Sequence, residues 1–390
     1  MLNRIAENLV HELAKQFPIV LILGPRQCGK TTLAKYFLEG EYFDFEKPSD
    51  QEIFADNIEF ALKRFDAPLI LDEAQILPEI FPVLRSIVDS KRQENGQYFL
   101  LGSVNPELVK RISESLAGRV GIIELTPFLY SELAAIKKID ISHYWLKGGY
   151  PDAVKEKDPL KWQRWQENYV RTFVERDIPR YGLKATPVQM RRLMGMIAHL
   201  HGGLLNTSEI GRSLSANYHT ISNHLDLIEG HFLIRRLQPY HTNVKKRLIK
   251  SPKIYIRDTG MLHYLLGISS ERNLLESPKR GNSWEGLMIE QLIAHEMLAR
   301  SGSQFFFYRT QRGAEIDLIV DRGNERLGYE FKCSLSVGKK DWRNLKAGLE
   351  EGIIHKGAVV YMGERNYPVA DDIEVVNAEN LLMTNGPMNK

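Results

Sequence analysis

The fold of this chain is decided by the stretch Gly24-Pro25-Arg26-Gln27-Cys28-Gly29-Lys30-Thr31. It fits the pattern G-x-x-x-x-G-K-[ST] at every fixed position and follows the apolar run Ile19-Val20-Leu21-Ile22-Leu23. This order predicts a buried strand, a loop and a helix, which is the context that a phosphate-binding loop requires. The two glycines let backbone N–H groups close around an anion, and the helix directs its positive end toward it.

The same stretch supplies side chains for a nucleotide. Lys30 would neutralise charge on the β- and γ-phosphates, and the hydroxyl of Thr31 would be a ligand of Mg²⁺. We therefore expect ATP and ADP as ligands and Mg²⁺ as cofactor. The predicted nucleotide contacts are Gly24, Pro25, Arg26, Gln27, Cys28, Gly29, Lys30, Thr31 and Thr32.

A second apolar strand, at 67–71, is followed by Asp72 and Glu73. An acidic residue after a buried parallel strand lies at the carboxyl edge of the sheet, where ligands bind in α/β folds. Asp72 is predicted to hold the Mg²⁺ shell, and Glu73 to polarise a water molecule for attack on the γ-phosphate. Kinases do not need the second role, so the pair favours hydrolysis.

Two further polar positions are predicted to act near the γ-phosphate. A third strand, 98–101, leads into Ser103 and Asn105, either of which would sense the phosphate. Arg119 precedes the apolar stretch 120–125, and a cation beside a transferring phosphoryl group is worth about 10³ to 10⁵ in rate. The sequence leaves open whether Arg119 serves its own subunit or a neighbour in a homo-oligomer.

These motifs resemble a known family, the AAA-like ATPases of bacteria and archaea that carry a carboxy-terminal domain of formerly unknown function. The matching stretches are GPRQCGKTT at 24–32, LILDEAQ at 69–75, FLLGSVN at 99–105, SLAGRV at 115–120, GGYP at 148–151 and RDI at 176–178. The resemblance covers nearly the whole chain. It implies an α/β fold with an AAA-type parallel sheet core, then a winged-helix segment, then an α/β domain similar to restriction endonucleases of the PD-(D/E)xK type.

Length and composition agree with several domains. The chain has 390 residues, of which 43% are apolar, and four segments are expected, at 1–135, 136–189, 190–252 and 253–390. The second of these is predicted to be a helical lid or connector. A net charge of only +3 means that nucleic-acid binding must come from local patches. Two unpaired cysteines and the lack of a long apolar run predict a cytoplasmic protein without membrane contact.

The segment 190–252 has a winged-helix pattern. Asn206 and Glu209 form a helix start, a second helix covers 218–228, and two strands flank a loop. Seven basic residues and no acidic one lie between 235 and 253, namely Arg235, Arg236, Lys245, Lys246, Arg247, Lys250 and Lys253. The second helix would present Tyr218, His219, Thr220, Ser222, Asn223 and His224 to a groove. DNA is the predicted partner, although winged helices also dock proteins.

A second set of chemical residues lies near the carboxy terminus. A helix begins near Trp284-Glu285, strands are predicted at 305–309, 315–320 and 327–332, and turns fall at 312–313 and 322–324. In strands of period two, Glu315 and Asp317 share one face, as do Glu330 and Lys332. Only helix is expected after Lys332.

This arrangement is similar to the metal-dependent nuclease fold. Carried over by motif position, Glu285, Asp317 and Glu330 would hold Mg²⁺ or Mn²⁺, and Lys332 would serve the nucleophile. The sequence therefore favours an ATPase that acts on DNA in repair, recombination or mobile-element biology, with metal-dependent cutting as an added activity. Two alternatives stay open. One is a nucleotide-controlled switch that binds a protein partner, of toxin-antitoxin or defence type. The other is an oligomeric DNA translocase or branch-migration motor.

Overall fold

The computed structural model describes residues 2–91, 94–102, 112, 115–137, 139–180, 185–241 and 249–384. The chain divides into two compact units. The first comprises Met1–Phe128 and Asp226–Phe232, and the second comprises Leu129–Leu225 and Leu233–Lys390. Within the described ranges, no helix is long and apolar enough to cross a membrane.

A five-stranded parallel sheet forms the centre of the first unit, with strand order β2-β3-β4-β1-β5. Its strands are β1 Ile19–Leu23, β2 Glu41–Asp44, β3 Leu69–Asp72, β4 Tyr98–Gly102 and β5 Val120–Glu124. Its described helices are α1 Ala6–Gln16, α2 Lys30–Phe37, α3 Pro48–Ala55, α4 Ile58–Arg64 and α5 Ile80–Ser90. The predicted parallel core is confirmed.

The three central strands β1, β3 and β4 are buried at every position. Such continuous apolar strands are typical of parallel sheets that are covered on both faces. Because all five strands run the same way, their carboxyl ends meet at one edge, with Leu23 and Asp72 both at that edge. This edge positions the nucleotide residues.

The second unit contains a nine-stranded sheet with strand order β13-β14-β12-β11-β10-β9-β7-β8-β6. The strands are β6 Gly203–Leu204, β7 Ile234–Pro239, β8 Lys253–Ile256, β9 Gln304–Arg309, β10 Glu315–Asp321, β11 Arg326–Lys332, β12 Lys356–Tyr361, β13 Tyr367–Ala370 and β14 Ile373–Asn377. Both predicted turns, at 312–313 and 322–324, join consecutive strands.

The remaining described helices begin after β5. They are α6 Tyr130–Lys137, α7 Ile141–Lys147, α8 Pro151–Lys155, α9 Pro159–Thr172, α10 Pro187–Leu200, α11 Thr207–Ser213, α12 Tyr218–Gly230, α13 Thr259–Leu265, α14 Glu271–Glu276, α15 Arg280–Ala299, α16 Lys339–Glu350 and α17 Ala378–Met383. A π-helical turn, Phe173–Asp177, and a short helix, Ile178–Arg180, extend α9.

The elements α10, β6, α11, α12, β7 and β8 follow one another in the order that the sequence predicts for a winged helix. Asn206 caps α11 by accepting a hydrogen bond from the Glu209 N–H at 3.2 Å, as the sequence predicts. Strand β8 pairs with β6 and β7, so 253–256 belongs with the winged helix and not with a segment that begins at 253. Parallel pairing of β7 with β9 then makes one sheet of what we expected to be two domains.

The carboxy-terminal part of the sheet has antiparallel β9, β10 and β11, with β12 parallel to β11. The prediction of only helix after Lys332 is wrong, because β12, β13 and β14 follow it. The run Gly357-Ala358-Val359-Val360-Tyr361 is buried throughout, and it lies between two other strands of the sheet.

Candidate functional site

The loop between β1 and α2 has a backbone conformation that requires glycine at two positions. Gly29 has a φ of +105°, in the left-handed region. A Cβ at Gly24 would lie 2.2 Å from the carbonyl oxygen of Leu125. Arg4 braces the outside of the loop, since its Nη1 donates to the Cys28 carbonyl at 3.0 Å and its Nη2 to the Thr126 carbonyl at 2.7 Å. Arg4 is a supporting residue that the motif does not reveal.

The ammonium of Lys30 lies inside the loop. It donates to the carbonyl oxygens of Gly24 and Pro25, each at 2.9 Å, and the residue is buried. Loop carbonyls therefore hold the ammonium in the concave face of the loop, where a phosphate group would meet it. Of the other predicted contacts, Arg26 lies 3.7 Å from Glu46, and Thr32 is exposed on α2.

The structure brings Thr31 and Asp72 together. The Thr31 hydroxyl donates to Asp72 Oδ2 at 2.7 Å, and the Glu73 N–H donates to Asp72 Oδ1 at 2.9 Å. Tyr42 on β2 also donates to Oδ2, at 2.6 Å. Burial, and secondly the carboxylate of Asp72, raise the pKa of Tyr42 above its usual range, so that it stays a donor. Sequence analysis missed Tyr42, which reaches Asp72 because β2 pairs with β3.

These two oxygen ligands fit a magnesium ion. Proteins hold Mg²⁺ with one or two carboxylates together with phosphate oxygens and water, so a hydroxyl and a carboxylate at 2.7 Å are an appropriate protein contribution. Asp72 is buried, with 4% of its surface exposed, and its position is set by three hydrogen bonds. Thr31 and Asp72 would hold the ion.

Glu73 has a backbone conformation that is unusual for a residue other than glycine. Its φ is +52°, in the left-handed region, at the start of a short 3₁₀ turn, Ala74–Ile76. Such a conformation costs of order 1 kcal/mol and is found most often at functional sites. The Gln75 amide contacts Glu73 Oε2 and orients the carboxylate. Its predicted role as the base stays a prediction.

Arg119 lies at the other end of the sheet. Val120 pairs with Ile19 at the start of β1, and the carbonyl of Arg119 accepts from the Ile19 N–H at 3.2 Å. The phosphate-binding loop follows the other end of β1, about 15 Å from Arg119 along the strand. A role for Arg119 on the nucleotide of its own subunit is therefore inconsistent with the structure, and only a role on a neighbour's nucleotide stays a prediction.

The guanidinium of Arg119 is instead paired with α5. Its Nε lies 2.7 Å from Asp89 Oδ1, and its Nη2 lies 2.9 Å from Oδ2. This bidentate geometry holds the start of β5 against the helix. The other predicted phosphate sensors, Ser103 and Asn105, lie outside the described residues.

The second predicted set does come together in the second unit. Asp317 Oδ2 accepts from the Phe331 N–H at 2.9 Å, which joins β10 to β11 beside Glu330. Lys332 donates to Glu330 Oε2 at 2.9 Å. Burial, and secondly the charge of Asp317, raise the pKa of Glu330 well above its usual range.

A residue that the prediction did not include lies at the centre of this cluster. The Lys253 ammonium is 2.8 Å from Glu285 Oε1, contacts Glu315 Oε1, and is 4.0 Å from Asp317 Oδ1. Tyr255, two residues along β8, donates to the same Glu285 oxygen at 2.6 Å. Burial nevertheless raises the pKa of Glu285 to about 7.

The structure does not support the prediction that Glu285, Asp317 and Glu330 hold Mg²⁺ or Mn²⁺. Among the described residues, no group of three or more His, Cys, Asp or Glu side chains is arranged to bind a metal ion. The ammonium of Lys253 lies where the carboxylates converge, and Lys332 neutralises Glu330. One oxygen, Glu330 Oε1, is buried without a hydrogen-bond partner in the described part of the chain.

The structure exposes some of the residues that were predicted to contact DNA and buries others. On α12, Tyr218, His219 and Asn223 are exposed, whereas His224 is buried and its pKa is lowered by that burial. Thr220 and Ser222 are half-buried.

Of the seven basic residues, Lys253 is buried in the acidic cluster and Arg235 pairs with Glu290 at 3.0 Å. Lys250 is exposed and Arg236 is half-buried. Lys245, Lys246 and Arg247 lie outside the described residues.

Three family models match the chain. An AAA domain model (AAA_14) matches residues 16–134, a domain of unknown function (DUF8612) matches 138–272, and a second domain of unknown function (DUF4143) matches 280–381. The uncharacterised protein Rv2008c of Mycobacterium tuberculosis is 38% identical over 372 residues, which cover 94% of this chain and 81% of that protein.

An uncharacterised protein of Haemophilus influenzae is 25% identical over 361 residues, covering 84% of this chain and 85% of the relative. Among solved structures, protein VC1899 from Vibrio cholerae matches 94% of this chain and 96% of that chain at 10% identity. Its TM-score of 0.20 is too low to support an argument about fold or function.

Proposed function

This chain belongs to the family of proteins that join an amino-terminal AAA domain to a carboxy-terminal DUF4143 domain, and on that premise we propose that it binds and hydrolyses ATP. The observation that carries the proposal is the hydrogen bond of 2.7 Å between the Thr31 hydroxyl and Asp72. It links the phosphate-binding loop to the neighbouring acidic strand end, which is the pairing that holds Mg²⁺ in nucleotide hydrolases of this type.

Each residue then has a distinct task. Lys30 exchanges its two loop carbonyl partners for β- and γ-phosphate oxygens, and backbone N–H groups of the loop bind the same phosphates. Bound Mg²⁺ supplies positive charge that polarises the terminal phosphate. Glu73 accepts a proton from the attacking water, with Gln75 orienting its carboxylate.

We further propose that DNA is the partner of the winged helix. The exposed face of α12 carries the aromatic and amide groups of Tyr218, His219 and Asn223, which are suited to contact bases and sugars. Exposed Lys250 is placed next to β8 and can contact phosphate. Both cysteines are free thiols, and Cys28 is buried. The absence of a disulfide between them agrees with a cytoplasmic location.

A nucleotide-controlled switch that binds a protein is the second candidate. Two cations predicted for the DNA surface, Arg235 and Lys253, are neutralised by the carboxylates of Glu290 and Glu285, which weakens the electrostatic attraction for phosphate. A surface of aromatic and amide groups with less charge also suits a protein interface.

The deciding experiment is the ATP hydrolysis rate of the full chain, alone and with single-stranded, duplex, forked and four-way-junction DNA at two salt concentrations. Lys30→Ala is the control for contaminating ATPases. Stimulation by DNA that weakens with salt would support a DNA-dependent ATPase. Turnover that DNA does not change would support the protein-binding switch, and a rate equal to that of Lys30→Ala would overturn the ATPase proposal.

A further inference from the structure

We propose that the ammonium of Lys253 is the resident cation of the second acidic cluster, and that the cluster therefore works without a divalent metal and does not cleave phosphodiester bonds. The cluster consists of Glu285, Glu315, Asp317 and Glu330 together with Lys253. The proposal is independent of the ATPase activity, because all five residues lie in the second unit.

Three carboxylates from two elements converge on one ammonium. Glu285 projects from α15, while Glu315 and Asp317 lie on β10. The Lys253 nitrogen is 2.8 Å from Glu285 and 4.0 Å from Asp317, and it also contacts Glu315. Convergent carboxylates of this kind are the usual protein ligands of hard divalent cations, and here a protonated amine takes that place.

The charged side chain of Lys253 is also buried. Only 2% of the Lys253 side-chain surface is exposed. Its nitrogen lies 5.6 Å from the centroid of the Phe307 ring, and Tyr255 beside it donates to Glu285. The ammonium contacts Glu285 and Glu315 directly and lies 4.0 Å from Asp317, so its buried charge is compensated.

The other cluster contacts also oppose a metal ion. Arg309 lies 3.3 Å from Glu315 Oε2, and Lys332 lies 2.9 Å from Glu330 Oε2. Asp317 Oδ2 is occupied by the Phe331 N–H. A divalent cation would have to displace these partners and would then be repelled by three nearby cationic side chains.

The register of β8 explains why this lysine reaches the site. Lys253 and Tyr255 are two apart in a strand and therefore lie on one face, and both contact Glu285. Strand β8 pairs with β7, and β7 pairs with β9, so the winged-helix strands and the carboxy-terminal strands share one sheet. The ion pairs thus join the winged-helix strand β8 to α15 and β10.

The test is Mn²⁺ binding by the nucleotide-free full chain, measured by electron paramagnetic resonance and by the shift in melting temperature. Wild type should show no Mn²⁺ binding that depends on Asp317. Lys253→Met, which keeps the length of the side chain without its charge, should gain one Mn²⁺ and a metal-dependent rise in Tm, and adding Asp317→Asn should abolish both. Lys340→Met, at an exposed lysine of α16, should behave as wild type.

Measurements on wild-type protein test the proposal even if Lys253→Met fails to fold. Mn²⁺ bound by wild type and lost in Asp317→Asn would overturn the proposal. So would Mn²⁺-dependent DNA cleavage that Asp317→Asn removes. A folded Lys253→Met variant that gains no Mn²⁺ would show that the ammonium does not occupy a cation position.

Discussion

Thr31 and Asp72 are separated by 41 positions in the chain, yet the hydroxyl of one donates to the carboxylate of the other at 2.7 Å. The contact exists because the strands that precede them, β1 and β3, both end at the same edge of a parallel sheet with β4 between them. Tyr42 approaches the same carboxylate from β2. The candidate magnesium site is thus assembled from α2, the end of β3 and a side chain of β2.

Replacing Thr31 by Val should leave the fold intact and lower ATP turnover about 100-fold, equivalent to about 2.7 kcal/mol of transition-state stabilisation. The methyl group cannot bind Mg²⁺ or donate to Asp72. Steady-state kcat at saturating Mg²⁺ and ATP is the measurement. Thr31→Ser, which retains the hydroxyl, should recover most of the rate, and normal turnover by Thr31→Val would remove Thr31 as a ligand.

Glu73→Gln should bind ATP but hydrolyse it about 10² to 10⁴ times more slowly, because the amide cannot accept the proton of the attacking water. Titration with a fluorescent ATP analogue separates binding from turnover. Lys30→Ala is the matched comparison, since it should lose binding itself when phosphate charge is uncompensated. If Glu73→Gln turned over at the wild-type rate, another residue would have to be the base.

Arg119 and Asp89 should behave as a structural pair. Each single replacement, Arg119→Ala or Asp89→Ala, should lower stability slightly, and a double-mutant cycle should show that the two effects are coupled. Urea unfolding supplies the four free energies. A loss of ATP turnover in Arg119→Ala that appears only at protein concentrations where oligomers form would support the translocase alternative, in which Arg119 serves a neighbour.

Glu290 should make stability depend on acid pH. Although its burial acts in the opposite direction, Arg235 and Arg257 lower the pKa of Glu290 to about 2. The unfolded value is about 4.3, so the stabilisation is fully present above about pH 4.5 and is lost as pH falls toward 2. The contribution is about 3 kcal/mol at neutral pH.

Chemical unfolding of wild type and Glu290→Gln between pH 7 and pH 3 measures this effect. The difference in unfolding free energy should be largest at pH 7 and shrink as the pH is lowered. Glu276→Gln, at an exposed helix position, is the control. A difference that stays constant with pH would show that Glu290 is not held charged by the two arginines.

Much of the first unit could be predicted from local patterns. The loop at 24–31 has its own motif, and the apolar runs before Gly24 and Asp72 are typical of buried parallel strands, so the sheet edge and its polar residues followed from the chain direction. The same reasoning should have excluded Arg119 from the nucleotide of its own chain. It precedes β5, and in a parallel sheet the start of a strand lies at the edge opposite to the loop.

Sequence alone determined the buried strands β1, β3 and β4 and the loop that carries phosphate-binding chemistry, because these depend on neighbours close along the chain. The occupant of the second acidic cluster was decided only by tertiary structure. In the sequence, Lys253 belongs to a group of basic residues that predicts a basic surface. Only the pairing of β8 with β7, and of β7 with β9, brings it to the acidic cluster. The partner of a charged side chain is set by what packs against it, and strands β8 and β10, which are about 60 residues apart in sequence, come together only after folding.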